Sequence, residues 1–287
     1  MRQADCQCPS KVLMTKSQYA NPTAGFRFGK NWESFVKNYF SEERVEISRQ
    51  HILEFLGVAN LNGLCFLDVG CGSGLSSLAA LRAGANRIIS FDVDPDSAKT
   101  TERLHALSGA PDHWQVLQGS VLDMEFLAKL DPADVLYSWG VLHHTGAMWK
   151  AIENVLPLVK PNGAFYVALY TTSPASAFWI RTKQEYNRAS FIKKRLMELW
   201  YVQSRVILPQ LRARQNPFGY MLNYKRSRGM EFMTDIRDWL GGWPYEDATV
   251  EAVLAFFATH GFRAIRVRTG EANTEYLFVR QELQSWP

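Results

Sequence analysis

The residues best suited to chemistry lie in and just after a short apolar run, Cys65 to Val69, which carries a single acid, Asp68. Three glycines follow at alternate positions: Gly70, Gly72 and Gly74. A helical pattern begins at Leu75. A glycine turn between a strand and a helix brings a ligand close to bare backbone at the helix N-terminus. The stretch therefore predicts a ligand-binding strand–turn–helix unit with a carboxylate beside it.

A second acid, Asp92, ends the next predicted strand, which begins at Arg87. An acid at this place binds ribose hydroxyls in nucleoside-binding α/β folds. The alternative role is a helix N-cap, but Asp94 followed by Pro95 suits that role better. We therefore predict that Asp92 contacts a ribose.

The glycine turn alone does not identify the cofactor, because nicotinamide, flavin and adenosyl sulfonium cofactors all use one. The dinucleotide pattern requires a glycine where Leu75 stands. From Leu67 to Gly74 the chain instead resembles the first motif of the class I S-adenosylmethionine-dependent methyltransferases. S-adenosylmethionine (SAM) carries an ammonium and a sulfonium rather than a pyrophosphate, so a carboxylate suits it. The resemblance implies SAM as the cofactor.

The resemblance also implies a set of cofactor contacts along the carboxyl ends of the first four strands. They are Asp68, Gly70, Cys71, Gly72, Gly74, Asp92, Val93, Ser120, Val121 and Ser138. Members of the family often carry an acid where Ser120 stands. Here the Ser120 hydroxyl and the Val121 backbone would contact the adenine.

The order of predicted elements indicates an α/β fold. Strands at Trp114–Gln118 and Ala133–Ser138 alternate with helices, and a turn at residues 160–163 precedes a fifth strand, Ala164–Leu169. The resemblance implies a terminal antiparallel hairpin over residues 262–279. We predict a doubly wound, Rossmann-like, seven-stranded sheet with that hairpin, a helical insertion and an N-terminal helical lid. The predicted units are a lid (1–60), a SAM-binding core (61–170), a basic substrate cap (171–248) and the C-terminal part of the core (249–287).

Two histidines, His143 and His144, follow the fourth strand, where the resemblance places the transferred methyl group. A neutral imidazole there could take a proton from an acceptor oxygen or nitrogen. The alternative is that the histidines cap the loop, and His144 is the better candidate base. No acid ends the strand to hold Mg²⁺, since Tyr137 and Ser138 stand there. We therefore predict in-line methyl transfer without a metal.

Aromatic and amide side chains near the same edge are candidates for the acceptor pocket. They are Asn31, Trp32, Tyr170, Trp243 and Tyr245. Gly241 and Gly242 would let the loop approach the sheet closely. Packing of the insertion on the core is the alternative role for Trp243 and Tyr245.

Composition sets wider limits. The chain has 287 residues, 47% of them hydrophobic, and a net charge of +4. It has no apolar run near the ~20 residues that span a bilayer, and the first nine residues contain no apolar signal core. The four cysteines form neither a disulfide framework nor a zinc tetrad. We expect a cytoplasmic location.

The insertion is strongly basic between Arg181 and Arg228. Its charges could form a solvated helical face, attract an anionic substrate, or lie on RNA or an anionic membrane. For the whole chain we predict a SAM-dependent methyltransferase acting on an oxygen or nitrogen of a small molecule, anionic acceptors included. The alternatives are an RNA or lipid-linked acceptor, and a SAM-binding protein without catalysis.

Overall fold

A computed structural model describes residues 28–224, 231–270, 272–280 and 286. Residues 1–27 of the predicted lid and residues 225–230 of the insertion lie outside this description. The strands are β1 (Cys65–Val69), β2 (Arg87–Asp92), β3 (Trp114–Gln118), β4 (Ala133–Trp139), β5 (Val159–Tyr170), β6 (Phe262–Thr269) and β7 (Asn273–Arg280). The described helices of the first half are α1 (Phe28–Tyr39), α2 (Glu42–Leu56), α3 (Leu75–Arg82), α4 (Pro95–Leu107), α5 (Met124–Leu127) and α6 (Met148–Val155). Those that follow β5 are α7 (Ser176–Arg188), α8 (Phe191–Tyr201), α9 (Leu208–Arg212), α10 (Pro217–Asn223), α11 (Phe232–Gly241) and α12 (Val250–Thr259).

The seven strands form one sheet in the order β3-β2-β1-β4-β5-β7-β6. The first five strands are parallel, and β7 runs antiparallel to both β5 and β6. Separate apolar cores cover the two faces, one around Leu136 and Phe257 and the other around Phe55 and Tyr166. The doubly wound sheet with its antiparallel hairpin is confirmed. Its order reverses between β1 and β4, where such folds bind ligands at the carboxyl ends of the strands.

Strand β5 is longer than the sequence indicates. It begins at Val159, which pairs with Ala133, and the next pair joins Val135 to Ala164. The predicted turn at residues 160–163 is therefore an irregularity inside the strand. Lys160 holds it in place through an ion pair of 2.8 Å with Asp134.

Side-chain hydrogen bonds cap several helix starts, those of α2, α4 and α12 among them. Ser41 accepts a hydrogen bond from the Arg44 amide, so α2 begins at Glu42. Thr249 caps α12, and Asp94 caps α4 as predicted. Asp92 is consequently not needed as a cap.

The insertion between β5 and α12 is helical where it is described. Helix α8 ends at Tyr201, and the chain continues through a π-helical segment, Val202–Ile207, into α9. The Leu208 amide donates to the Gln203 carbonyl in that wider register. No described helix is long and apolar enough to cross a membrane.

A buried carboxylate, Glu275 on β7, ties the N-terminal helices to the sheet edge. One carboxylate oxygen accepts from Trp139 at 2.8 Å and lies 2.9 Å from His51, and the other accepts from Arg268 at 2.6 Å. Burial opposes ionisation, but these partners outweigh it and lower the Glu275 pKa to about 2.

Replacing Glu275 by Ala should cost about 3 kcal/mol or more of unfolding free energy, because its buried partners lose their common acceptor. Glu54→Ala is the matched control. That exposed acid contacts Arg268 at 3.5 Å, so its loss should cost less than about 1 kcal/mol. Chemical denaturation of both variants at pH 7 measures the difference, and equal losses would contradict the structural role of Glu275.

Candidate functional site

Asp68 lies in the middle of a hydrogen-bonded chain inside the sheet. Its carboxylate accepts from the Ser77 hydroxyl at 2.5 Å, and the Ser77 and Ser90 hydroxyl oxygens are 2.7 Å apart. The Trp114 indole N–H donates to Ser90 at 2.8 Å. An ionised carboxylate only accepts, so Ser77 donates its single proton to Asp68, and Ser90 must then donate to Ser77. The order of donors and acceptors is therefore fixed from β3 to β1.

The Asp68 carboxylate has an unusual charge environment. It is 2% exposed. Burial raises its pKa to about 7, the Ser77 hydrogen bond opposes the rise, and the negative charge of Asp92 adds to it. A cationic group placed beside Asp68 would relieve this cost.

Asp92 lies at the end of the adjacent strand, β2, and its carboxylate is hydrogen-bonded to the glycine turn. One of its carboxylate oxygens accepts from the Gly72 amide at 3.0 Å and the other from the Asp94 amide at 2.9 Å. Burial again outweighs these bonds and raises the Asp92 pKa to about 6. Two weakly acidic carboxyl groups thus face the same turn.

Helix α1 lies over that turn. Gly72 has a φ of +54°, and a Cβ added there would lie 2.9 Å from the Trp32 indole nitrogen. Glycine is therefore required both for the backbone and for the approach of Trp32. Asn31 on the same helix donates to the Asp238 carboxylate of α11 at 2.6 Å. Trp32 of the predicted lid therefore covers the glycine turn, whereas Asn31 links the lid to the insertion.

The remaining predicted cofactor residues line the strand ends but use some of their polar groups internally. Ser138 donates to the Val69 carbonyl, Ser120 accepts from the Leu122 amide, and the Val121 carbonyl accepts from Asn154. Cys71 is buried and accepts from Thr101, while Val93 is exposed. Their contacts with a cofactor remain predictions.

The two histidines form a short helical turn, Leu142–His144, after β4. The His144 Nδ1 atom is 2.6 Å from the Pro244 carbonyl oxygen, so Nδ1 carries the proton and Nε2 keeps a lone pair. His143 has the opposite tautomer, because its Nδ1 accepts from the Tyr170 amide at 3.3 Å. The His143 Nε2 donor is buried with no partner among the described residues. At its Nε2 atom, therefore, His144 can accept a hydrogen bond, whereas His143 can donate one.

Both imidazoles are neutral at physiological pH. Burial lowers the pKa of His144 to about 3, and the positive charge of Lys183 adds to the effect. Burial likewise lowers the His143 pKa well below its usual range. Gly242 allows the insertion to approach this turn, since a Cβ there would lie 2.7 Å from a His144 ring carbon.

Aromatic rings surround the end of β5. The Tyr170 ring centroid lies 3.8 Å from His143, 5.1 Å from Tyr245 and 5.2 Å from Trp239. The predicted pocket residues Tyr170 and Tyr245 are therefore in contact. The third ring of the group belongs to Trp239, which was not among the predicted pocket residues. Trp243 is half-buried and precedes Pro244, the partner of His144.

The segment containing Trp243 also fixes the histidine turn from the other side. The Glu246 amide donates to the His143 carbonyl oxygen at 3.0 Å, and the Glu246 carboxylate accepts from the Met148 amide at the start of α6. The segment therefore positions the two imidazoles through Pro244 and Glu246. The sequence predicted a role only for the aromatic side chains of this segment, so its positioning role was not predicted.

A buried cation occupies the aromatic group. Lys183 on α7 has no exposed surface, and its ammonium lies 4.2 Å from the Trp239 ring centroid and 5.3 Å from those of Tyr170 and Tyr245. It also donates to the Trp239 carbonyl. Burial lowers its pKa to about 7, with Asp238 opposing the shift. In the sequence, Lys183 is one of many cations in the basic stretch that begins at Arg181, and no sequence feature distinguishes it from the others.

Comparison with known proteins identifies the fold that carries these groups. Residues 67–165 match the family model of a methyltransferase domain. Over this stretch the chain is therefore similar to methyltransferase domains. The match contains the glycine turn, both acids and both histidines. It ends within β5, before the insertion that supplies Lys183 and Trp239.

Relatives among curated proteins match part of their own length. A ribosomal protein L11 methyltransferase from Actinobacillus pleuropneumoniae is 28% identical over 143 residues, which are 50% of this chain and 46% of the relative. The same enzyme from Haemophilus ducreyi is 33% identical over 115 residues, 39% of this chain and 35% of the relative. The chain thus spans less than half of the curated relatives it matches.

Solved structures share the fold over most of the chain. A magnesium protoporphyrin IX methyltransferase from Synechocystis, solved with bound SAH, superposes with a TM-score of 0.51 at 13% identity, over 88% of this chain and 93% of its own. An O-methyltransferase family protein from Burkholderia thailandensis gives 0.53 at 13% identity, over 88% and 59%. These likenesses extend the fold assignment beyond residue 165.

The raised pKa of Asp68 makes a prediction about the stability of the ligand-free protein. Between about pH 4 and 7 the unfolded chain, whose Asp68 pKa is near 3.8, binds fewer protons than the native state. Stability should therefore fall as pH rises through this window. Asp68→Asn should remove most of this fall and add on the order of 1–3 kcal/mol at pH 8.

Thermal unfolding from pH 5 to 8 compares the variant with the wild type. Asp131→Asn is the control, because this exposed acid pairs only with Arg87 at the surface. The same slope in Asp68→Asn as in the wild type would show that Asp68 does not titrate in this range.

Proposed function

We propose that this chain binds SAM at the edge formed by Asp68, Gly72 and Asp92 and transfers its methyl group to an oxygen or nitrogen of a small acceptor. The observation that carries the proposal is the buried Asp68 carboxylate, beside which no compensating positive charge lies among the residues that the structure describes. The ammonium of SAM would supply that charge, and Asp92 would bind the ribose hydroxyls. When bound, SAM supplies an activated methyl group for in-line displacement.

Enclosure of the aromatic group supports a small acceptor. His143, Tyr170, Lys183 and Tyr245 are all buried, and α7 and α11 of the insertion cover them. A folded protein or a structured RNA would not reach this position without displacing both helices. The matched L11 methyltransferases have a protein named as their substrate, but the match covers less than half of their length.

The charges around His144 support an anionic acceptor. Lys183 lowers the His144 pKa, so an acceptor anion near Lys183 would offset that charge and raise the basicity of His144. The aromatic rings exclude water and position the acceptor. In this proposal the Nε2 atom of His144 takes the proton, Lys183 binds the anion, and the cytoplasm is the compartment.

The direct test incubates the purified protein with fractionated cell extract and SAM carrying a labelled methyl group. We expect a labelled small molecule whose mass exceeds that of its precursor by one methylene. Label that stays only in protein, RNA or lipid-linked fractions would contradict the small-molecule proposal. No labelled product from any fraction, with SAM still bound, would favour the non-catalytic alternative.

Calorimetric titration with SAM tests the cofactor site. Asp92→Ala should weaken binding by roughly 1.5–3 kcal/mol, because hydrogen bonds to a charged group are lost. Wild-type affinity should also fall as pH decreases from 8 to 5, since the cation binds the ionised forms of Asp68 and Asp92. Asp96→Ala, at the start of α4, is the control. Unchanged affinity in Asp92→Ala, or tighter binding of NADH than of SAM, would refute the assignment.

Turnover of the identified acceptor tests the base. His144→Ala should lower kcat by ~10²-fold or more and leave SAM affinity near that of the wild type. His113→Ala, an exposed histidine before β3, should leave both unchanged. A parallel loss of SAM binding and melting temperature in His144→Ala would make His144 structural.

A further inference from the structure

Helix α8 is apolar on two sides, which is unusual for the surface of a single chain. Inward it packs Met197 and Tyr201 into a small core of the insertion. Outward, Ile192, Leu196 and Leu199 follow one another at helical spacing with 72%, 60% and 61% of their surface exposed. An exposed apolar stripe of this kind indicates a binding surface.

Exposed apolar side chains occur on the next two helices as well. Leu211 of α9 is 55% exposed, and Phe218 and Leu222 of α10 are 67% and 80% exposed. Three successive helices of the insertion thus present large apolar side chains to the outside. We call the exposed residues of α8, α9 and α10 the outer face of the insertion.

The charge of the outer face has one sign. Residues 190–224 contain six of the 32 Lys and Arg residues of the chain but one of its 28 acids, so they carry a net +5 while the whole chain carries +4. That single acid, Glu198, is 4% exposed and accepts from Tyr186 and Arg195 on the inner side. The net charge of the segment is therefore positive, and Arg212 and Arg214 are among its exposed cations.

We propose that the outer face of the insertion docks on an anionic lipid surface. A helix with exposed leucine, isoleucine and phenylalanine among Lys and Arg inserts its apolar side chains at the boundary of the acyl chains while its cations contact the headgroups. Each basic residue near such a surface contributes about 1 kcal/mol. This inference is independent of the proposed methyl transfer, because it uses no residue of that site.

Two other occupants fit the same surface less well. A second copy of the chain would bring the basic faces together about a twofold axis, where like charges repel. Single-stranded RNA binds through stacked aromatic rings and cations. The outer face does expose Phe191, Trp200, Phe218 and Tyr220, but most of its exposed apolar side chains are aliphatic: Ile192, Leu196, Leu199, Leu208, Leu211 and Leu222. Lipid accommodates both the apolar side chains and the positive charge.

A depression between α7 and α8 adds a place for a headgroup. Its volume is about 350 Å³, and its lining includes Arg181, Arg188, Ser190 and Lys193. Glu185 pairs with Lys193 there at 2.6 Å, in an exposed ion pair that a lipid phosphate could replace. Cations thus border the apolar stripe at its N-terminal end.

Flotation with vesicles tests the proposal on the full chain. We expect binding to phosphatidylcholine vesicles that contain phosphatidylglycerol, little binding to pure phosphatidylcholine, and a loss of binding as salt increases. The double variant Leu196→Asp/Leu199→Asp should lose at least ~10-fold in apparent affinity. Arg212→Glu/Arg214→Glu should lose about 30-fold or more, because two cations are lost and two anions are added.

Two controls keep the result specific. Leu107→Asp and Arg103→Glu change equally exposed residues on α4, away from the insertion, and should bind vesicles as the wild type does. Melting temperature and SAM binding show that each variant is folded. Equal binding to neutral vesicles, or equal binding by the leucine variant, would overturn the proposal. A dimer in sedimentation that Leu196→Asp/Leu199→Asp abolishes, without any vesicle binding, would overturn it in favour of a second copy.

Discussion

The hydrogen-bonded chain that ends on the buried Asp68 carboxylate constrains the rest of the site. Trp114, Ser90, Ser77 and Asp68 come from β3, β2, α3 and β1, and the ionised carboxylate at one end, which can only accept, sets the direction of the two hydroxyl bonds. Hydrogen bonds arranged in this way polarise one another. The carboxylate is therefore held in a single orientation at the start of the glycine turn. The turn, Asp92 and the covering helix α1 are arranged around that fixed point.

Two buried carboxylates in this fold show how charge environment distinguishes a structural group from a binding group. Glu275 has donors on both oxygens and the positive charge of Arg268 on one of them, and its pKa falls to about 2. Asp68 has one hydroxyl donor and a neighbouring acid, and its pKa rises to about 7. A compensated carboxylate stabilises the native state, whereas an uncompensated one reduces stability and favours a cationic ligand. Two buried carboxylates of one sheet thus have opposite effects on stability.

Sequence patterns predicted the parts of this structure that depend on local periodicity. The strands, the glycine turn, Asp94 as a helix cap and the terminal hairpin all follow from short stretches of chain. The early start of β5 at Val159 was missed, because Lys160, Asn162 and Gly163 suggest a turn and only the Ala133 pairing reveals a strand. Lys183 and Trp239 were missed because their environment is made by α7 and α11 packing on β5. Side-chain partners far apart in sequence cannot be obtained from periodicity.

The insertion leaves and re-enters the sheet at one point, the end of β5. Thr171 forms a parallel bridge with Ala248, and the Thr172 and Ala248 amides donate to the Ala248 and Tyr170 carbonyls. The two ends of the segment are thus already joined, and loop length adds only slowly to the entropy of closure. A shorter, longer or unrelated segment could be exchanged at this junction without altering the strand order. The proposed acceptor site and the proposed lipid-binding face can therefore evolve together as a replaceable module on an unchanged sheet.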